Sequence, residues 1–136
     1  MKDASQWAND EERYDFLSAW ACQVLNDNYL IVIEGYSMGS KGQVFNIGEN
    51  TGLLKYKLYK YQKKFSVAAP TTIKKFATGS GRADKDAMYD AFVAETNYDM
   101  KGNFGVKTTK SPVSDIVDSY YLAKYSFHLC TPQTKS

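Results

Sequence analysis

The stretch Tyr29-Leu30-Ile31-Val32-Ile33-Glu34-Gly35 decides the fold. Five apolar residues follow one another without the alternation of a half-exposed strand, and a carboxylate closes the run. That is the pattern of a short strand covered on both faces, as in a parallel sheet flanked by helices. Working outward, Glu11 to Asn26 predicts a helix with Leu17, Trp20, Ala21, Val24 and Leu25 on its buried side. After Glu34 comes a small-residue loop through Gly35, Gly39, Ser40 and Gly42, then a helix from about Gln43 to Tyr61. Val44, Ile47, Thr51, Leu54, Leu58 and Tyr61 form its apolar stripe. Glycine inside a helix costs about 1 kcal/mol against alanine. Gly48 and Gly52 therefore predict a close-packed neighbour. Phe65 to Ala69, stopped by Pro70, reads as a second strand. Strand, helix, strand in this order is a βαβ unit, which makes the two strands parallel.

The rest of the chain is less periodic. Thr71 to Asp84 reads as a Gly-rich, basic connection, and Lys85 to Glu95 as a helix with Met88, Ala91 and Phe92 inward. Asn97 to Lys110 reads as a loop. Ser111-Pro112 marks a helix start, serine as N-cap and proline in the first helical position. Val113, Ile116, Val117 and Tyr120 are its expected buried face, and Thr131 to Ser136 is a polar tail.

The chain has 136 residues, 43% hydrophobic and 24% charged, which suits one domain spanning 1–136 with one core. No apolar run reaches the roughly 18 residues of a membrane span, and the polar start, Met1 to Asp10, is unlike a signal peptide. Two cysteines, Cys22 and Cys130, make neither a disulfide framework nor a zinc site, so a reducing, cytoplasmic setting is expected. His128 is the sole histidine, with no Cys or Ser in a plausible constellation, which argues against a Ser-His or Cys-His hydrolase. A net charge of +2 decides nothing about nucleic acid; the distribution of charge has to.

Three features carry possible chemistry. Glu34 sits at the carboxyl end of the first strand, the edge of open α/β sheets where ligands bind. A carboxylate beside Ile31-Val32-Ile33 is partly desolvated and needs a partner, such as a metal ion; the bland alternative is a strand-end glutamate turned to solvent. Asp115 and Asp118, three apart on the last helix, share a face and repel unless a cation intervenes. Acidic residues also favour a helix N-terminus for its dipole alone. The run Lys74-Lys75-Phe76-Ala77-Thr78-Gly79-Ser80-Gly81-Arg82-Ala83-Asp84-Lys85 combines positive charge with glycines that expose backbone N–H groups, as phosphate-binding loops do. It matches neither a Walker loop nor a dinucleotide fingerprint. Separately, Lys55-Tyr56-Lys57-Leu58-Tyr59-Lys60-Tyr61-Gln62-Lys63-Lys64 interleaves lysines with tyrosines. It suits nucleic acid and, equally, a helix C-terminus.

Three blocks, in order, resemble the RuvC family of Holliday junction resolvases, especially the short phage versions. The first is Ile31-Val32-Ile33-Glu34-Gly35-Tyr36-Ser37-Met38-Gly39-Ser40-Lys41-Gly42, an acid ending a strand before a small-residue loop and a Gly-bearing helix. The second is Ile73 to Lys85, similar to the family's Lys, Gly-x-Gly, Ala-acid-Lys stretch, with Lys74 and Lys85 at its lysines. The third, Ser114-Asp115-Ile116-Val117-Asp118-Ser119, is similar to the family's Asp-x-x-Asp-Ala helix with Ser119 in place of alanine.

The resemblance implies an α/β, RNase H-like fold and a four-carboxylate site holding Mg²⁺, with Mn²⁺ as a possible substitute. Glu34, Asp115 and Asp118 are the implied metal ligands, Lys74 and Lys85 the catalytic lysines, and Lys41, Lys74, Lys75, Arg82 and Lys85 the implied DNA contacts. The departure lies at the N-terminus. No segment resembles the family's first strand, which carries the fourth carboxylate, so the fold is expected to be N-terminally incomplete, a short parallel sheet flanked by helices. The expected activity is Mg²⁺-dependent, structure-selective cleavage of Holliday junctions or other branched DNA, by a homodimer. The rival readings are a DNA-binding module that does not cut and half of a split nuclease completed by an N-terminal fragment.

Overall fold

A computed structural model of the chain describes residues 7–25, 30–35 and 44–130, with helical backbone but no side-chain detail at 44–47. The described residues form a mixed α/β structure of two strands and six helices. In chain order these are α1 (Asp10–Val24), β1 (Ile31–Glu34), α2 (Val44–Lys60), β2 (Phe65–Ala68), α3 (Pro70–Thr78), α4 (Lys85–Thr96), α5 (Met100–Phe104) and α6 (Val113–Cys130). The strands form one two-stranded sheet. Ile31 N–H donates to Lys64 O at 3.1 Å and Gly35 N–H to Ala68 O at 2.8 Å. The constant offset between donor and acceptor is that of a parallel pair, as the βαβ order requires. No helix among the described residues is long and apolar enough to cross a membrane.

The chain divides into two compact units, Met1–Ile31 with Tyr36–Ser66, and Val32–Gly35 with Val67–Ser136. In the first, α1 packs on α2. Asn9 caps α1 by accepting the Glu12 N–H at 2.7 Å, ahead of three acidic residues that suit the positive helix end. The buried line of α1 runs through Tyr14 and Ser18, whereas Trp20 and Val24, expected inward, are exposed. On α2 the stripe holds at Leu58, which is fully buried, and fails at Tyr61, which lies in the turn beyond the helix and is exposed. A Cβ on Gly52 would meet nothing within 4 Å among the described residues, so no neighbouring backbone accounts for it. Lys57 Nζ ties the helix pair by hydrogen bonds to Asp15 Oδ1 at 2.7 Å and Asp15 O at 3.0 Å.

In the second unit α3, α4 and α6 pack on one another around Ile73, Met88, Phe92, Val113, Val117 and Tyr121. Aromatic edges lock this core: Phe92 meets Tyr120 at 5.2 Å and 86°, and Phe76 meets Tyr125 at 5.3 Å. Phe76 also lies 5.3 Å from the His128 ring, so the single histidine packs among aromatics.

The second unit departs from the sequence expectations in four places. The basic segment after Pro70 is a helix for most of its length. Pro70 occupies its first turn, Ile73 is buried, and Gly79, at φ 86°, ends it in the left-handed conformation. Residues 97–110 contain a short helix, α5, capped by Asp99, whose side chain accepts the Gly102 N–H. On α6 the buried positions are Val113, Ser114, Val117 and Tyr121, and Ile116 is exposed. The helix begins at Val113, one residue later than expected.

Candidate metal and phosphate site

Four local features of the second unit bring charged side chains to one cavity. The first is the end of β1. Ile33 hands the chain to Glu34, and Gly35 follows where a Cβ would press on Val67 Cγ1 at 3.3 Å. The second is α3, whose buried Ile73 fixes the helix face and leaves Lys74, next in sequence, half-buried. The third is the N-terminus of α4. Asp84 caps it by accepting the Ala87 N–H at 2.8 Å, which sets Lys85 as the first helical residue. The fourth is α6, where Ser114, Val117 and Asp118 share a face by helical spacing.

Together these residues line a cavity of about 360 Å³. Its charged lining is Glu34, Asp84 and Asp118 against Lys74 and Lys85, with apolar surface from Pro70, Met88 and Val117.

Two of these carboxylates, Glu34 and Asp118, are disfavoured as anions. Burial of the Glu34 carboxyl pushes its pKa up, Asp118 adds to the shift as a like charge, and Lys74 opposes it. Burial is again the largest cause for Asp118, which is raised further by Asp115 and lowered by Lys74 and Lys85. By surface area Glu34 is exposed and Asp118 half-buried, so water screens the shift at Glu34.

The sequence-predicted residues are thus only partly gathered. Glu34, Asp118, Lys74 and Lys85 line the one cavity. Asp115 does not. It is exposed, accepts a hydrogen bond from the Ser111 hydroxyl, and reaches the site only through its field on Asp118. Among the described residues no three His, Cys, Asp or Glu side chains gather as a metal-holding group. Lys75 and Arg82 are exposed and absent from the lining. Lys41 lies outside the described residues. Two lining residues were passed over by sequence reasoning. Asp84 stood just before a predicted helix start, the position of a capping carboxylate. Ser114 precedes Asp118 by one helical turn and so shares its face.

This architecture has a known counterpart. The fold resembles that of RuvC. The solved Thermus thermophilus RuvC structure superimposes with a TM-score of 0.64 at 16% sequence identity, covering 96% of this chain and 76% of that one. No protein-family profile and no curated protein sequence matches the chain. The likeness to RuvC is therefore one of fold.

Proposed function

We propose that this chain is a divalent-metal-dependent endonuclease that cuts branched DNA, four-way junctions foremost. The observation that carries the reading is the meeting of Glu34 and Asp118 with Lys74 and Lys85 on one cavity, within a fold like that of RuvC, a Holliday junction resolvase.

The donor set fits a hard divalent cation. Oxygen ligands suit Mg²⁺, which keeps several waters and needs only one or two carboxylates from the protein. The two carboxylates are disfavoured as anions by burial and like charge, and Lys74 offsets that only in part. Glu34 and Asp118 would hold the ion, which supplies an activated water and relief of phosphate charge. Asp115, behind Asp118, strengthens the negative field without lining the cavity. Lys74 and Lys85 are placed to pair with the phosphate being cut, and the Asp84 cap holds Lys85 at the helix start. Lys41, Lys75 and Arg82 would contact backbone phosphates farther from the cut, fixing position without reading bases. A homodimer would present two such sites to the two-fold symmetric junction.

Two observations favour a second reading. Only two acids line the cavity besides the capping Asp84, and β1 pairs with a strand on one side only among the described residues. Another polypeptide adding a strand with a further carboxylate would complete both. A cleavage assay on synthetic four-way DNA with Mg²⁺ tests these readings. Cutting that disappears in Glu34→Gln supports the nuclease. Cutting only after an N-terminal fragment is added supports the split form. Tight binding with no cutting under either condition leaves a DNA-binding module.

A further inference from the structure

The cavity leaves one charged surface unused, the end of α2. From Leu53 to Lys64 the chain contains five lysines, three tyrosines and no acid. Tyr56, Tyr59 and Tyr61 are 61%, 76% and 58% exposed. Fully burying a large apolar side chain is worth about 1.5–3 kcal/mol, and these three rings forgo most of that gain. Tyr56, Tyr59 and Lys60 are neighbours on one helix face at spacings of three and four, opposite the fully buried Leu58. Lys60, on the helix, and Lys64, after the turn that follows it, are exposed as well. Beyond the helix, Tyr61 and Lys63 border a hollow of about 380 Å³ shared with Gln23 and Lys57, all within the first unit.

Lysines at a helix C-terminus suit the dipole whatever they bind. That accounts for their charge and not for three rings left in water. Lys57 is in any case engaged with Asp15. Rings interleaved with ammonium groups match one polyanion in particular, a nucleic-acid strand whose bases are free to stack, because base–aromatic stacking needs an open π-face. A duplex hides its faces and would use only the lysines.

We propose that the end of α2 and the turn after it bind unpaired nucleotides of a DNA substrate. Tyr56, Tyr59 and Tyr61 stack on bases, and Lys60 and Lys64 pair with phosphates. The choice of DNA rests on the nuclease reading; the stacking surface does not.

The test is fluorescence anisotropy of the full chain, in EDTA so that nothing is cut, with labelled oligo-dT of about 15 nucleotides and a duplex of equal length. Tyr56→Ala, Tyr59→Ala and Tyr61→Ala combined should weaken oligo-dT binding tenfold or more and leave duplex binding nearly unchanged. The variant should melt like the parent, since the rings are exposed. Lys60→Ala and Lys64→Ala should each flatten the plot of log K against log salt by about 0.7 for the single strand, a change the tyrosine variant does not make. Equal binding of both DNAs by the parent, or undiminished oligo-dT binding without the tyrosines, overturns the inference. Junction cleavage by the same proteins separates the two readings. Cutting without tyrosine-dependent binding sinks this inference alone, and tyrosine-dependent binding without any cutting sinks the nuclease alone.

Discussion

Asp118, in the second turn of α6, raises the pKa of Glu34, at the end of β1, although 84 positions separate them in the chain. Asp115 does the same to Asp118 from the exposed side of the helix. Like charge thus runs from the solvated Asp115 to Asp118, which lines the cavity, and on to Glu34. Burial and like charge therefore disfavour ionising both acids together, a cost that a cation between them would relieve.

The first prediction concerns stability and pH. Glu34 and Asp118 hold their protons to higher pH in the folded chain than in the unfolded one. Their contribution to stability is therefore fully present below the ordinary carboxylate range and is lost as pH rises through the raised values. Without metal, thermal melts should show stability falling across that interval. Glu34→Gln and Asp118→Asn should flatten the fall and melt a few degrees above the parent at neutral pH. Either variant melting well below the parent at neutral pH would mean that the carboxylate supports the fold.

Metal addition should reverse the slope. An Mg²⁺ ion held by Glu34 and Asp118 would take their ionised forms, so the melting temperature should rise with Mg²⁺ more at pH 8 than at pH 5. A ligand at 100 times its dissociation constant adds about 2.7 kcal/mol. The Glu34→Gln, Asp118→Asn double variant should show no rise. A parent chain indifferent to Mg²⁺ and Mn²⁺ at pH 8 would remove the metal from the proposal.

Glu34 stands out in the sequence by an apolar run that ends abruptly, and Asp115 and Asp118 by their spacing, patterns that also have purely structural readings; the resemblance is what joins the three into one site. Which of the two α6 acids lines the cavity was not legible, because it depends on the helix register. Val113, Val117 and Tyr121 are the buried ridge, at steps of four, where the expected face stepped from Val113 to Ile116. The expected loop at Lys74 hid a helix for a related reason. Gly79, Ser80 and Gly81 mark a break, but the period that betrays α3 is carried by Ile73, Phe76 and Ala77 alone, in nine residues. Helix α5 has only five residues, and Gly102 within them reads as loop. On α1 the apolar pattern pointed to Trp20 and Val24, and the packing chose Tyr14 and Ser18. There Ser18 Oγ donates to Tyr14 O at 2.7 Å, which lets a serine be buried at little cost.

Lys74 should act on the pH profile of cleavage as well as on its rate. It lowers the pKa of both Glu34 and Asp118, whereas Lys85 acts on Asp118. Lys74→Met should reduce junction cleavage on the order of a hundredfold, as loss of a charge-stabilising donor does. It should also move the acid limb of the profile to higher pH, since both carboxylates then ionise later. Lys74→Arg keeps the positive charge and should restore the limb even where the rate stays low. An unshifted limb in Lys74→Met would show that the lysine does not act on these acids.

The glycines give the last prediction, because two of them answer opposite demands. Gly79 ends α3 at φ 86°, where its N–H reaches Lys75 O at 2.8 Å. A side chain there meets the left-handed penalty, so Gly79→Ala should cost about 1–2 kcal/mol. Gly52 lies inside α2, and among the described residues a Cβ there meets nothing within 4 Å, so Gly52→Ala should gain up to about 1 kcal/mol from helix propensity. Urea unfolding of the two variants measures both signs. If a second copy of the chain packs on the bare face of α2, the added methyl group instead weakens self-association, which sedimentation would register as a shift toward monomer. Gly52→Ala that stabilises the chain and leaves its sedimentation unchanged would place any homodimer contact elsewhere.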